Sequence, residues 1–401
     1  MSALARQRAV LSPKVTFRGN LRSTRHGWLR LTPAYSVELV RELLERRSHP
    51  DLPVLDPFCG TGTTLLACAE RGIACRTVDI NPFLRWLATV KSRPYTAADV
   101  QKAEQLVRKM AGAAKRGRGR AWVPALHKIE KWWDAPTLSG LSRAFAELDG
   151  KRGKARDLAA LAFCRTLIDV GNVSFRHQSM SFRARTAAPD VGDSLQAAFA
   201  ALAVGAALPV EPAEVEVLVG DARQVDGILP PNSCGSVITS PPYCNRMSYI
   251  RELRPYMYWL GFLDDGKQAG ELDWRAIGGT WGSATSQLQT WQPEAQLALP
   301  GLATLVRKIE GQSPLLARYV ERYFCDMNEH LRALSRVIAR GGEAHYVIGN
   351  SKFFDVLVPA QKLLAALLER HRFVSTQVRV LRRRTSKKEL FEYLVSARRG
   401  H

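Results

Sequence analysis

Several things are missing from this sequence, and each absence excludes something. None of the seven cysteines (59, 68, 75, 164, 234, 244 and 325) stands in a CxxC pair, and the eight histidines show no HExxH or similar spacing. An odd, scattered set of thiols speaks against a disulfide framework or a zinc site, so reduced cysteines and no metal are expected. Long apolar runs are absent as well. The nearest, 195–210, is Ala-rich and too short to span a bilayer, so it reads as a packed helix. The opening MSALARQRAV lacks the apolar centre of a signal peptide, and a cytoplasmic protein with no membrane contact is expected. Acidic residues are scarce: 37 Asp and Glu face 58 Lys and Arg, for a net charge of +21.

What is abundant, then, is positive charge, and it is segregated. It concentrates in residues 1–50, 101–190 and 371–401, while the remainder is slightly negative. A field of that shape attracts polyanions, nucleic acid among them. The 401 residues suffice for one large domain or two modest ones.

Along the chain the apolar spacing predicts a helix over 36–48, with Ser36 as its N-cap. A short strand at 53–56 then runs into DPFCGTGTTLLACAERG (56–72), a glycine turn followed by a helix. A second strand covers 73–79 and ends on Asp79. Strand, glycine turn, helix, strand and acid make the βαβ opening of a doubly wound fold. From about 91 to 214 the character changes to basic and helical, with helices over 100–112 and 136–170 and a loop over 171–190. This unit interrupts the first. The α/β pattern returns with VEVLVGDA (215–222). Residues 263–316 are rich in Gly, Gln and Trp and weakly periodic, an ordered insertion. A helix over 317–339 ended by Gly341-Gly342, a strand at 344–350, a helix over 356–370 and strands at 374–382 and 390–397 close the chain.

Two motifs carry chemistry. In D56-P-F-C-G-T-G62, Gly60 and Gly62 let backbone come close to a ligand. Asp79 follows 17 residues after Gly62, where a carboxylate can grip both hydroxyls of a ribose. Leu65 occupies the place of the third glycine of a dinucleotide fingerprint. The turn therefore suits a nucleoside without pyrophosphate, such as S-adenosylmethionine. Asp221 in GDAR (220–223) ends the next strand and can meet an adenine amino group. The second motif is TSPPY, 239–243. Its prolines donate no backbone hydrogen bond, and Ser240 is held extended by the proline after it. The result is a stiff loop with outward carbonyls beside a flat Tyr243. The Pro241 carbonyl and the Ser240 hydroxyl can accept from the two N–H groups of an exocyclic base amine. That turns the nitrogen lone pair toward a sulfonium methyl, a matter of positioning more than of strong base. Tyr243 would stack on the base, which in a duplex must first be flipped out.

DPFCGTG followed by TSPPY resembles the DNA amino-methyltransferases, which methylate cytosine at N4 or adenine at N6. The likeness covers roughly 25–90 and 215–260, and 317–400 by pattern. It implies an α/β fold, a Rossmann-like seven-stranded sheet with a mainly helical basic insertion, and S-adenosyl-L-methionine as cofactor. It implies cofactor contacts from Asp56, Phe58, Gly60, Gly62 and Thr63, from Asp79 and Ile80 at the ribose, and from Asp221 and Ala222 at the adenine. The segment 31–35, ending in Tyr35, resembles the stretch that closes over the methionine part. Ser240, Pro241, Pro242 and Tyr243 would form the catalytic loop. Serine as the first residue of the tetrapeptide favours cytosine N4 over adenine N6, and a tRNA-type base methyltransferase is a third alternative. The partner implied is double-stranded DNA, in a restriction-modification setting that admits a cognate endonuclease; monomer and homodimer both stay open.

The divisions expected are 1–90 for the N-terminal segment and cofactor half, 91–214 for the helical basic insertion, 215–262 for the catalytic half, 263–316 for the second insertion and 317–401 for completion of the sheet. DNA contacts are expected from Arg176, His177, Arg183 and Arg185, with Asn172 and Gln178 beside them, because Arg, Asn and Gln read base edges bidentately. Arg275, Gln287, Gln289 and Gln292 offer the same chemistry in the second insertion. Arg251 and Arg254 after the catalytic loop, and Arg383 within RVLRRRTSKK (379–388), are expected at phosphates. Most aromatics of 245–259 are expected to pack rather than to line a base pocket.

Overall fold

The computed structural model describes residues 19–20, 23–30, 35–116, 122–174, 181–182, 189–210, 213–245, 248–280, 282–384 and 388–400. Seven strands form the central sheet: β1 (Val54–Asp56), β2 (Cys75–Asp79), β3 (Val215–Val219), β4 (Cys234–Thr239), β5 (Ile338–Gly349), β6 (Phe373–Arg383) and β7 (Phe391–Arg399). Their order across the sheet is β6-β7-β5-β4-β1-β2-β3. β7 alone runs against its neighbours β5 and β6, and the pairs from β5 to β3 are parallel. β1 and β4 are buried along their whole length, as strands covered on both faces must be. The strand order reverses between β1 and β4, and in sheets of this kind ligands bind outside the carboxyl ends at that point. This is the Rossmann-like methyltransferase sheet expected from the motifs.

Helix α1 (Val37–Leu44) starts at Ser36, whose hydroxyl accepts from the Leu39 N–H at 3.4 Å. Helices α2 (Thr63–Ala69) and α3 (Pro82–Ser92) follow β1 and β2. Asn81 caps α3 and Pro82 opens it, a position where the missing proline N–H costs nothing. The basic insertion lies between α3 and β3 and is helical: α4 (Ala97–Lys115), α5 (Ala135–Ala146), α6 (Lys154–Asp169) and α7 (Val191–Ala206). Where one helix was expected over 136–170, two form. Gly150 and Gly153 take φ of +66° and +93°, which breaks the chain direction between α5 and α6. The Ala-rich stretch is α7, and among the described residues no helix is long and apolar enough to cross a membrane.

The insertion does not stand apart from the sheet domain. One apolar core joins its helices to Phe83, Leu87 and Val90 of α3 and to Tyr256, Met257 and Trp259 of α8 (Tyr249–Trp259). Trp259 is enclosed edge-on by Trp122, Trp133, Phe145 and Phe163, and Tyr256 stacks on Phe83 at 5.2 Å. The aromatics of 256–259 are therefore packing groups, as expected of most of them.

The second insertion contains α9 (Gly266–Arg275), α10 (Ser283–Thr290) and α11 (Leu302–Glu310), and α12 (Pro314–Val337) leads back to the sheet. Two boundaries differ from expectation. α12 ends at Val337 and β5 begins at once, running through Gly341-Gly342 rather than after them. A side chain at Gly342 would stand 2.7 Å from the Gly235 carbonyl, so the glycines let β5 cross β4 where their register shifts. The helix expected from 356 begins only after Pro359, as α13 (Ala360–Arg370). Residues 356–358 instead pair with 351–353 as a small hairpin.

Candidate active site

The loops expected to act together meet at the carboxyl ends of β1, β2, β3 and β4. The glycine turn is built by conformation: Gly60 and Gly62 have φ of +51° and +73°. A Cβ on Gly62 would stand 3.0 Å from the Ala88 Cβ, so glycine is needed for space as well as for φ. At Gly60 such an atom would make an ordinary contact with the Phe58 carbonyl at 3.7 Å, so there the positive φ rather than crowding calls for glycine.

Asp79 holds the turn from the next strand. One carboxylate oxygen accepts from the Gly60 N–H at 3.1 Å, the other from the Asn81 N–H at 2.8 Å. Each oxygen keeps a lone pair, and the residue is only half-buried. Burial pushes its carboxyl up to about 6, so at neutral pH it is mostly an anion able to accept further hydrogen bonds. Ile80 follows it, also half-buried. From below, Lys91 of α3 donates to the Thr61 carbonyl at 2.8 Å and to the His26 carbonyl at 3.4 Å. The lysine is wholly buried, and desolvation drives its ammonium down to about 8. Nothing in the sequence reading pointed to it, because a lysine on an amphipathic helix resembles a surface residue.

Asp56 takes a different place from the one expected of it. Its side chain is fully buried rather than turned to a ligand. One oxygen accepts from the Thr239 hydroxyl at 2.5 Å and from the Phe58 N–H at 3.2 Å, and the Tyr35 hydroxyl lies 3.4 Å from the other. Desolvation raises its carboxyl to about 7. Asp56 thus clamps the glycine turn to the strand that carries the catalytic loop. Tyr35 serves the same clamp, bonded to Thr64 and near the Ile238 carbonyl. Thr63 is buried at the start of α2 beside Thr61. The rest of segment 31–35 lies outside the described residues.

Phe58 is half-buried and packs edge-on against His330 of α12 at 4.9 Å. His330 is buried and bonded on both nitrogens, 3.0 Å from the Ala222 carbonyl and 2.7 Å from the Tyr346 hydroxyl. A carbonyl can only accept, so Nδ1 carries the proton and Tyr346 donates to Nε2. Burial lowers the imidazole to about 4, and it stays neutral. Asp221 is gripped by Arg223, whose Nη2 donates to it at 2.7 Å and whose Nη1 reaches Asp326 at 2.7 Å. The guanidinium fixes the carboxylate's direction, a partner visible two residues away in GDAR.

The Ser240–Tyr243 loop leaves β4 after buried Thr239. The Ser240 hydroxyl donates to the Val347 carbonyl at 2.9 Å, which commits its proton and leaves its lone pairs as acceptors. Tyr323 of α12 donates to the Pro242 carbonyl at 2.7 Å. No hydrogen bond among the described residues reaches the Pro241 carbonyl. Tyr243 is held at three points. Its N–H meets the Tyr249 hydroxyl at 3.3 Å, and its own hydroxyl donates to Glu392 of β7 at 2.8 Å. Its ring lies against Gly349, where a Cβ would stand 2.8 Å from Cε2. Glu392 is in turn fixed by Arg382 at 2.7 Å. Burial first, then the Glu392 charge, push the phenol well above its ordinary value, so it stays protonated.

The expected DNA contacts divide. Arg176, His177, Gln178, Arg183 and Arg185 lie outside the described residues. Arg251, Arg275, Gln287, Gln289, Gln292 and Arg383 are exposed. Arg254 is not a free phosphate contact: it is half-buried, with its guanidinium 5.9 Å from the Trp132 ring. In the charge run, Arg382 is paired with Glu392, and Arg384 donates to the Asn350 carbonyl and sits 5.7 Å from the Tyr243 ring. Among the described residues no cluster of His, Cys, Asp and Glu could hold a metal ion.

Comparison with known proteins points to DNA methylases and type II methyltransferases. The DNA methylase family profile matches residues 18–89, which include the whole glycine turn and Asp79. The chain is similar to the type II methyltransferase M.AvaI of Nostoc sp., 21% identical over 92% of this chain and 83% of that one. It is likewise similar to the type II methyltransferase M.BsoBI of Geobacillus stearothermophilus, 22% identical over 92% and 82%. A shorter stretch of 78 residues is 37% identical to the type II methyltransferase M.MjaII of Methanocaldococcus jannaschii; it covers 20% of this chain and only 14% of that protein. With its motifs assembled at one switch point of the sheet, the chain is similar to the DNA methylases over its cofactor half and to type II methyltransferases along most of its length.

Proposed function

We propose that the protein transfers a methyl group from S-adenosylmethionine to the exocyclic amino group of a base flipped out of double-stranded DNA, with cytosine N4 as the target. The observation that carries this reading is the state of the catalytic loop. Ser240 has spent its proton on Val347, and no hydrogen bond among the described residues engages the Pro241 carbonyl. Two acceptors side by side match the two N–H donors of an amine, and they leave its lone pair directed elsewhere.

The residues across the switch point fit the cofactor. Gly60 has no side chain to hold a ligand off its backbone, and Asp79 is a half-buried anion with a lone pair left on each oxygen. When bound, the cofactor supplies an electrophilic methyl on a sulfonium sulfur. Asp79 and Ile80 would line the ribose, with Asp221 and Ala222 at the adenine. Asp221, directed by Arg223, would accept from the adenine amine. Phe58, backed by His330, would wall the methionine side. Tyr243 would stack on the target base, with its plane set by Gly349 and Glu392. Asp56 acts at one remove, by holding the two loops in one frame. Serine at 240 supports cytosine over adenine.

The test is incubation of the purified chain with methyl-labelled cofactor and either duplex DNA or transfer RNA, followed by mass spectrometry of the nucleosides. N4-methylcytosine from DNA is expected. N6-methyladenine would overturn the choice of base, and label in RNA alone would overturn the substrate.

A further inference from the structure

Phe182 is 47% exposed, although single exposed apolar residues are ordinary on a protein surface. Its mounting is not ordinary. It ends a short hairpin in which Val173 pairs with Phe182, and Val173 is buried in the helical core. The Asn172 N–H donates to the Trp132 carbonyl at 2.8 Å, and a Cβ on Gly171 would stand 2.7 Å from the Leu167 carbonyl. The hairpin base is therefore seated tightly. The Phe182 ring stands edge-on to buried Trp132 at 5.3 Å and 88°.

On the same tryptophan lies the Arg254 guanidinium, 5.9 Å from the ring. Arg254 belongs to α8, and Arg251, one turn earlier, is exposed. Two positive charges stand together here: burial first, then the Arg251 charge, lower Arg254 from its ordinary value. α8 also begins at the catalytic loop, because Tyr249 in its first turn meets the Tyr243 N–H. A helical rise of about 1.5 Å per residue puts Arg254 roughly 8 Å further along. An exposed aromatic beside two guanidiniums, on the helix that starts at the Ser240–Tyr243 loop, matches the chemistry of an unstacked nucleic-acid strand. Aromatic faces stack bases there, exposed Arg251 can meet a phosphate, and the half-buried Arg254 adds positive charge behind it.

We propose that Phe182, mounted on Trp132 beside Arg254 and Arg251, stacks a base of the DNA strand that carries the target and holds that strand at the mouth of the catalytic loop. The proposal rests on the DNA-methyltransferase reading above and adds the surface on which the strand lies.

The test uses the full chain as wild type, Phe182→Ala and Phe182→Trp. Affinity for a short fluorescent duplex with one mismatched pair is measured at fixed salt, with cofactor affinity measured in parallel. Loss of one base–aromatic contact is expected to weaken DNA binding about tenfold in Phe182→Ala. Phe182→Trp should restore it, with cofactor affinity unchanged in both. Wild-type DNA affinity in Phe182→Ala would overturn the proposal, as would failure of tryptophan to restore binding. The two readings separate cleanly. Methylation with Phe182-independent binding removes the surface alone, while Phe182-dependent binding without methylated base removes the enzymatic reading.

Discussion

Lys91 offers a quantity that can be worked through. Its ammonium is wholly buried beneath the glycine turn, where it donates to two carbonyls. Desolvation lowers it from 10.5 to about 8. Below pH 8 the lysine is charged in both the folded and the unfolded chain, and the fold carries the full cost of the buried charge. Above pH 10.5 it is neutral in both, and the cost is gone. Stability from this group therefore rises with pH between about 8 and 10.5, because the unfolded chain binds more protons there. From pH 7 to pH 10 the relief amounts to roughly 2 to 3 kcal/mol. Lys91→Met removes the charge and the relief together, and strands the two carbonyls at a cost of about 1 to 3 kcal/mol. Near pH 7 the two terms offset and the variant should be about as stable as wild type. At pH 10 it should be less stable by roughly 2 kcal/mol. Denaturant unfolding of both proteins across this range measures the difference, in which the many buried tyrosines cancel. Parallel pH profiles would refute the reasoning, since Lys91 would then not be held as a desolvated cation.

Two further outcomes follow from the site. Tyr243→Phe keeps the ring on Gly349 and loses only the Glu392 hydrogen bond, so most turnover should survive, whereas Tyr243→Ala should lose most of it while still binding cofactor. Equal turnover in the two variants, by steady-state methylation assay, would remove the stacking role. Asp79→Ala should weaken cofactor binding at least tenfold by calorimetry, the expected loss of charge-assisted hydrogen bonds to the ribose; unchanged affinity would show that the ribose lies elsewhere.

The two loops were legible in the sequence because each combines a backbone constraint with a chemical group. Gly60 and Gly62 fix a turn and Asp79 closes it; Pro241 and Pro242 stiffen a loop and Tyr243 flanks it. Strand endings follow from the same residues, so the βαβ opening was readable, while the strand order across the sheet was not. The supporting contacts were not. Asp56 and Asp79 both end a strand, and only the structure separates them: Asp56 is fully buried between the two loops, and Asp79 is half-buried. Glu392 reaches Tyr243 across 149 positions of chain, through the register of β7 against β5. Arg382 and Arg384 sit in what reads as a solvated charge run, yet one pairs with Glu392 and the other covers Tyr243. The break between α5 and α6 did have a signal, in Gly150 and Gly153. It was outweighed by the helical spacing on either side.

The central claim is that the Ser240 and Pro241 acceptors present a base amine for methylation. The most direct measurement is modification-sensitive sequencing of host DNA after this chain is expressed in a bacterium lacking its own DNA methylation. The account predicts N4-methylcytosine confined to one short motif, and its disappearance with Tyr243→Ala. DNA without any modified amine in cells that contain the folded chain would contradict it.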